Sequence, residues 1–240
     1  MHPKTNRHHL QGLEILHEDR AIIIVNKPAG LLTIGTEKEK QRTAYFILTD
    51  YLRKGNVRSR DHVFIVHRLD QDTSGILIFA KTAEARAALQ DNWEETRKKY
   101  LTIVHGKMPK PQETISTYLV ENSAHVVYST PDTAKGKLAH TVYRVLKETG
   151  EYSLLEIDLL TGRKHQIRVH LAGRGHPVVG DRKYGGKDAR HRQLALHALS
   201  ISFRHPVNGR TFNFHARVPR FFETLVGAIP THRLIGDLPL

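Results

Sequence analysis

Residues 67–82 read HRLDQDTSGILIFAKT. The run Ile76, Leu77, Ile78, Phe79, Ala80 has the length and the residue types of a buried strand. Directly before it stand His67, Arg68, Asp70, Asp72, Thr73, Ser74 and Gly75, so a core strand is entered through a charged, turning neck.

Reading outward, Val63–Val66 predicts a short strand before the neck. Thr82–Arg97 opens on a capping residue and carries Ala83, Ala87, Leu89 and Trp93 among charges, which predicts a helix. Upstream, LEILHEDRAIIIV at 13–25 predicts two strands around a turn, NKPAGLLT leaves the second through a Pro-Gly loop, and Thr43–Arg53 has helical apolar spacing. Downstream, five more strands are expected at Lys99–Val104, Ile115–Leu119, Val126–Ser129, Ala139–Leu146 and Tyr152–Leu159. Many strands close in sequence with few helices predict an α+β fold, a single domain around a large mixed, mainly antiparallel sheet flanked by helices and loops.

Composition narrows the function. The 240 residues, 39% of them hydrophobic, suffice for a core without staples, and the absence of cysteine excludes disulfides, thiolate metal sites and cysteine nucleophiles. That absence fits a reducing cytoplasm. No stretch approaches the roughly 20 apolar residues of a membrane span, and MHPKTNRHHLQG lacks the apolar core of a signal peptide. Lys and Arg number 37 against 24 Asp and Glu, a net charge of +13 that suits a polyanionic partner. The charges are spread along the chain and form no tail, which points to a basic groove in the folded domain; the plainer reading is a basic surface that serves solubility.

A second charged constellation is LTGRKHQIRVHLAGRGHPVVGDRKYG at 160–185. His165–Ala172 predicts a short helix with Gly173 as its stop, followed by a glycine-rich shaped loop. Its basic residues taken alone are as well explained by a solvated face. Asp70-Gln71-Asp72-Thr73 also matches the D-x-D-x-T signature of the haloacid-dehalogenase-like phosphatases, which need a later acidic pair for magnesium. His67 and Arg68 interrupt the strand that family requires, and Asp181 followed by Asp188 is too widely spaced, so this reading is discounted.

HRLDQDTSGILIFAKT resembles the signature of the RluA-type pseudouridine synthases, H-R-L-D-x-x-T-S-G followed by an apolar strand and A-K. Four further segments resemble that family in the same order: VNKPAGLL at 25–32, KKYLTIVHG at 98–106 with Thr102 in place of the commoner alanine, the 160–185 stretch almost throughout, and LALHALSISFRHP at 194–206. Ordered motifs over most of 13–220 are far more specific than D-x-D-x-T alone.

The resemblance implies isomerisation of a uridine in tRNA or rRNA to pseudouridine, without cofactor or metal, in an RNA-binding cleft across the sheet. Asp70 matches the catalytic aspartate, acting either as a nucleophile or as a base at the sugar; Arg168 matches the arginine that pairs with it, and Tyr100 the tyrosine that stacks on the target base. Without the motif, Tyr100 would read as an ordinary core aromatic. Arg68 matches an arginine that fills the gap left by a flipped-out nucleotide. Substrate contacts are expected from Arg68, His67, Thr73, Gly162, Arg163, His165 and Gln166, with His67 mainly structural and Thr73 fixing the loop. Asp72 falls at a variable position and receives no role. Residues 1–12 are expected to be a loose end, 13–228 the catalytic domain and 229–240 a surface tail. With about a dozen residues before the catalytic region, recognition is expected to rest on the domain's own basic surface, without an S4-type module, a membrane or an obligate protein partner. A catalytically silent RNA-binding protein on the same scaffold is the alternative; the trio Asp70, Tyr100 and Arg168 argues against it.

Overall fold

The computed structural model describes residues 9–10, 12–35, 39, 41–56, 58–186 and 190–229. Its backbone separates into two compact units, one formed by residues 1–96 with 200–216 and the other by 97–199 with 217–240.

The first unit contains β1 (His9–Leu10), β2 (Leu13–Glu18), β3 (Ile22–Lys27), α1 (Ala44–Arg53), β4 (Phe64–Ile65), β5 (Ser74–Ala80) and α2 (Ala83–Asp91). β2 pairs antiparallel with β1 and with β3, and β5 pairs antiparallel with β3 and with β4. All seven residues of β5 are buried, as the apolar run after the neck predicts. Its Ile76, Ile78 and Ala80 join Ile22 and Ile24 of β3 and Ala85 and Leu89 of α2 in one core cluster. Each fully buried Ile or Leu there contributes about 2 kcal/mol. Thr43 caps α1 by accepting a bond from the Phe46 amide at 3.1 Å, and Thr82 caps α2 through the Ala85 amide at 3.1 Å.

The second unit contains β6 (Arg97–His105), β7 (Gln112–Glu121), β8 (Val127–Thr130), β9 (Lys137–Glu148), β10 (Tyr152–Leu159) and α3 (Gln166–Gly173). β11 (Leu196–Arg204) starts in this unit and ends in the first, where β12 (Thr211–His215) pairs with its residues 200–204. α4 (Arg220–Val226) belongs to the second unit. Within it the ladder runs β6, β10, β9, β7, β8, antiparallel at every step. Val169 of α3 packs with Leu119, Val127 and Ala139, which holds the helix against the strands. The α+β fold with a mainly antiparallel sheet is thus as the sequence predicts.

Several boundaries differ from expectation. The helix expected over Thr82–Arg97 stops at Asp91, a 3-10 turn follows at Trp93–Glu95, and β6 already begins at Arg97. The Asn92 side chain, donating to the Ala88 carbonyl at 2.8 Å, occupies an acceptor at the helix end. α3 runs one residue further than expected. His165 precedes it in the left-handed region (φ 53°), Gly173 is helical, and the left-handed turn falls at Gly175. His9–Leu10, expected in a loose end, pair with β2, whereas residues 1–8 and 11 lie outside the described residues, as do 230–240 of the expected tail. β11, β12 and α4 were not expected. No helix among the described residues is long and apolar enough to cross a membrane.

Candidate active site

The neck is tied down through its main chain. Thr33, 2% exposed, donates from Oγ1 to the Leu69 carbonyl at 2.9 Å and accepts from the Leu69 amide at 3.2 Å. The Gly30 amide donates to the Gln71 carbonyl at 2.9 Å, and the Thr73 amide to the Asp70 carbonyl at 3.2 Å. The loop after β3 therefore grips the chain on both sides of Asp70. Gly75, the residue that turns the neck into β5, has φ 111°, a conformation that side chains with a Cβ rarely adopt. Asp70 is half-buried, and Arg68 is exposed.

Lys27 completes the grip. It ends β3 opposite Gly75, is fully buried, and donates from Nζ to the carbonyls of Pro28 (3.0 Å), Leu31 (2.7 Å) and Gln71 (2.9 Å). Three ammonium donors meet three acceptors. Burial pulls its pKa down to about 7, while Asp72 and Asp70 pull it upward. The unfolded chain keeps this proton up to about 10.5. Unfolding free energy therefore rises as pH climbs from about 7 to 10.5, and that gain is lost as pH falls back from 10.5 to about 7. In Lys27→Met this rise is expected to disappear. Urea titrations of both proteins at about pH 7 and about pH 9 measure it, and equal pH dependence in the two would refute the assignment.

His67 accepts a bond at Nε2 from the Ile78 amide at 3.1 Å and its ring lies 4.7 Å from that of Trp93, so it acts as part of the scaffold. Thr73, at 2% exposure, ties the loop through its amide to the Asp70 carbonyl.

In the second unit, α3 presents Arg168, which is 7% exposed. Its Nε and Nη2 donate to the two carboxylate oxygens of Asp181 at 2.7 and 2.8 Å, and its guanidinium lies 5.2 Å from the centre of the Tyr184 ring. Burial alone would raise the Asp181 pKa; the bonds and charge of Arg168, with the amides of Lys183 and Tyr184, bring it below the usual carboxylate value. Asp181, read in the phosphatase alternative as a magnesium ligand, is here the partner of an arginine, and Asp188 lies outside the described residues. Gly180 must be glycine: its φ is 76°, and a Cβ would meet the Gln193 carbonyl oxygen at 2.0 Å.

Gln166 departs from its expected role at the substrate. It is 2% exposed; Nε2 donates to the His140 carbonyl and Thr141 Oγ1, both at 2.9 Å, while Oε1 accepts from Thr161 Oγ1 at 2.8 Å and the Arg163 amide at 3.1 Å. Its hydrogen-bonding capacity is filled within the protein. His170 continues the network through Thr117 (3.0 Å) and Thr141 (2.9 Å), and burial lowers its pKa to about 4, which keeps it neutral at pH 7. Gly162 and Arg163 are exposed, and His165 Nδ1 bonds the Tyr184 hydroxyl at 2.8 Å. Tyr100 sits in β6 opposite Ile157 and is 8% exposed.

The first unit thus brings together His67, Arg68, Asp70 and Thr73, and the second gathers Arg163, His165, Gln166 and Arg168 at one end of α3. The sequence reading missed Lys27 as a buried tie, Asp181 as the partner of Arg168, and Tyr184 as the ring between His165 and Arg168. Asp181-Arg182-Lys183-Tyr184 carried a usable signal, because an aspartate accepting from amides two and three residues on is a common turn device.

Residues 21–173 match the family described as RNA pseudouridylate synthase. An uncharacterised RNA pseudouridine synthase of Bacillus subtilis is 36% identical over 218 residues, which span 89% of this chain and 71% of that protein. Ribosomal large subunit pseudouridine synthase D of Zymomonas mobilis is 35% identical over 228 residues, again covering 89% of this chain and 71% of the relative. Among solved structures, human RNA Pseudouridylate Synthase Domain Containing 4 superposes with a TM-score of 0.74 at 25% identity, covering 94% of each chain.

Proposed function

We propose a function on one premise: this chain belongs to the RNA pseudouridylate synthase family, and it is therefore an isomerase that acts on uridine in RNA. The proposal adds that its substrate is a particular uridine in a structured stem-loop of ribosomal or transfer RNA. Ribosomal RNA is the first choice, since relatives at 35% and 34% identity are named ribosomal large subunit pseudouridine synthase D. The net charge of +13 supports a polyanionic substrate, and a cysteine-free chain working on RNA fits the cytoplasm.

In this reading the bond from uracil N1 to ribose C1′ breaks and the base turns while still held. C5 then bonds C1′, N1 gains a proton, and the proton on C5 leaves. Asp70 starts the reaction as nucleophile or base, Arg168 contributes positive charge, Tyr100 stacks on the base and Arg68 fills the space of the flipped nucleotide. The observation that carries the role of Asp70 is the grip on its loop by Lys27, Gly30 and Thr33, which fixes the main chain on both sides of a half-buried carboxylate. A reacting group benefits from such fixing because orientation lowers the barrier.

The test is tritium release from [5-³H]uridine-labelled total RNA of cells lacking the protein, with and without a chelator. Release that persists in chelator is expected, and mapping of the new pseudouridines identifies the target. No release would favour a silent binding protein, and chelator-sensitive phosphate release would favour the phosphatase.

A further inference from the structure

Within the first unit a cavity of about 540 Å³ is lined by side chains that the neck does not use, among them Arg20, Tyr51, Lys54, Arg60, His62 and Phe64. Its two carboxylates are already engaged. Glu18 accepts from Lys81 Nζ at 2.8 Å and from the Tyr51 hydroxyl at 2.9 Å, and Asp61 accepts from Ser59 Oγ at 2.7 Å. Lys81 is further held by the Asp19 carbonyl at 2.8 Å. Arg20, Lys54 and Arg60 are exposed and, among the described residues, have no side-chain hydrogen bond or ion pair. The rings of His62 and Phe64, with centroids 4.5 Å apart and planes tilted by 44°, supply an aromatic wall. Three cations without partners among the described residues, around a hollow of nucleotide size and beside an aromatic wall, are suited to a phosphodiester with its sugar.

The hollow is not the place of the reacting uridine. Lys81 follows Ala80 at the far end of β5, whereas Asp70 stands before Ser74 at its start. Seven strand residues at about 3.3 Å each separate the two by roughly 20 Å. That is several base steps along an A-form RNA duplex.

We propose that this cavity is a second RNA-binding site, where Arg20, Lys54 and Arg60 hold backbone phosphates of the substrate several base pairs from the uridine at Asp70. It rests on RNA being the substrate, and it makes the enzyme select for structured RNA that reaches past the target. Such a contact adds affinity and register without touching the chemistry.

The test compares Arg20→Glu/Arg60→Glu with a control of equal charge change, Lys107→Glu/Lys137→Glu, at exposed lysines that do not line the cavity. For total RNA, the cavity variant is expected to raise KM for tritium release about tenfold with kcat unchanged, and to flatten the slope of log affinity against log salt by about 2. The control is expected to change each far less. Equal effects from the two variants, or none from the first, would overturn the site. So would stabilisation by UMP alone of the wild type but not of the cavity variant, which would mean a free-nucleotide pocket. A wild type without any tritium release would sink the isomerase reading; the salt slope, measured by filter binding, would still decide the cavity.

Discussion

Replacement of Asp70 by asparagine is expected to lower tritium release by at least about 10⁴-fold while RNA affinity stays within about threefold. The amide keeps the size and one acceptor of the carboxylate but loses its charge and basicity, and both routes open to Asp70 use that anion. The folding of the neck should survive. Its ties run through the main chain of Leu69, Asp70 and Gln71, where Thr33, Thr73, Gly30 and Lys27 bind it. Because affinity comes largely from phosphate contacts, filter binding should report little change. Single-turnover tritium release above about one part in a hundred of the wild-type rate would remove Asp70 from the chemistry.

The second large effect is on stability. Asp181→Asn leaves a buried guanidinium beside a neutral amide, and removing one partner of a buried pair costs about 3–5 kcal/mol. For a chain of this size the melting temperature should fall by about 10 °C, readable by calorimetry. The carboxylate's own pKa lies below the usual value, so its stabilising contribution is present above the unfolded value of 3.8 and is lost as the pH falls through the folded one. A double replacement, Arg168→Met/Asp181→Leu, takes away both charges together and should recover much of the stability, since an apolar pair of similar volume can replace a buried ion pair. Turnover should stay lost in that variant if Arg168 also serves the reaction. Recovery of turnover along with stability would make Arg168 purely architectural.

The elements most readily legible in the sequence were those set by local physics. Thr82 announces α2 because a side-chain oxygen before a helix satisfies an orphan amide, and the apolar spacing over 43–53 announces α1 because one helical stripe must face the core. The uninterrupted apolar run after the neck announces β5 because a strand buried on both faces has no polar side to show. The motifs were legible for the same reason: their residues are contiguous and their order survives. Less legible was where such elements stop. The ends of α2 and α3 depend on Asn92 closing the one and on left-handed Gly175 after the other, and several residues there could have served.

The sequence by itself determined the family, the α+β class and Asp70 as the residue to watch, since each follows from residue type, spacing and order along the chain. Only the tertiary structure decided that Lys27 meets the Gln71 carbonyl 44 residues on, that Gln166 spends its amide on β9 and its own loop, and that Arg168 is grasped by Asp181. Whether a lysine, glutamine or arginine faces substrate or protein depends on which buried acceptors the folded chain leaves unsatisfied, and that requirement exists only once distant segments have been packed together.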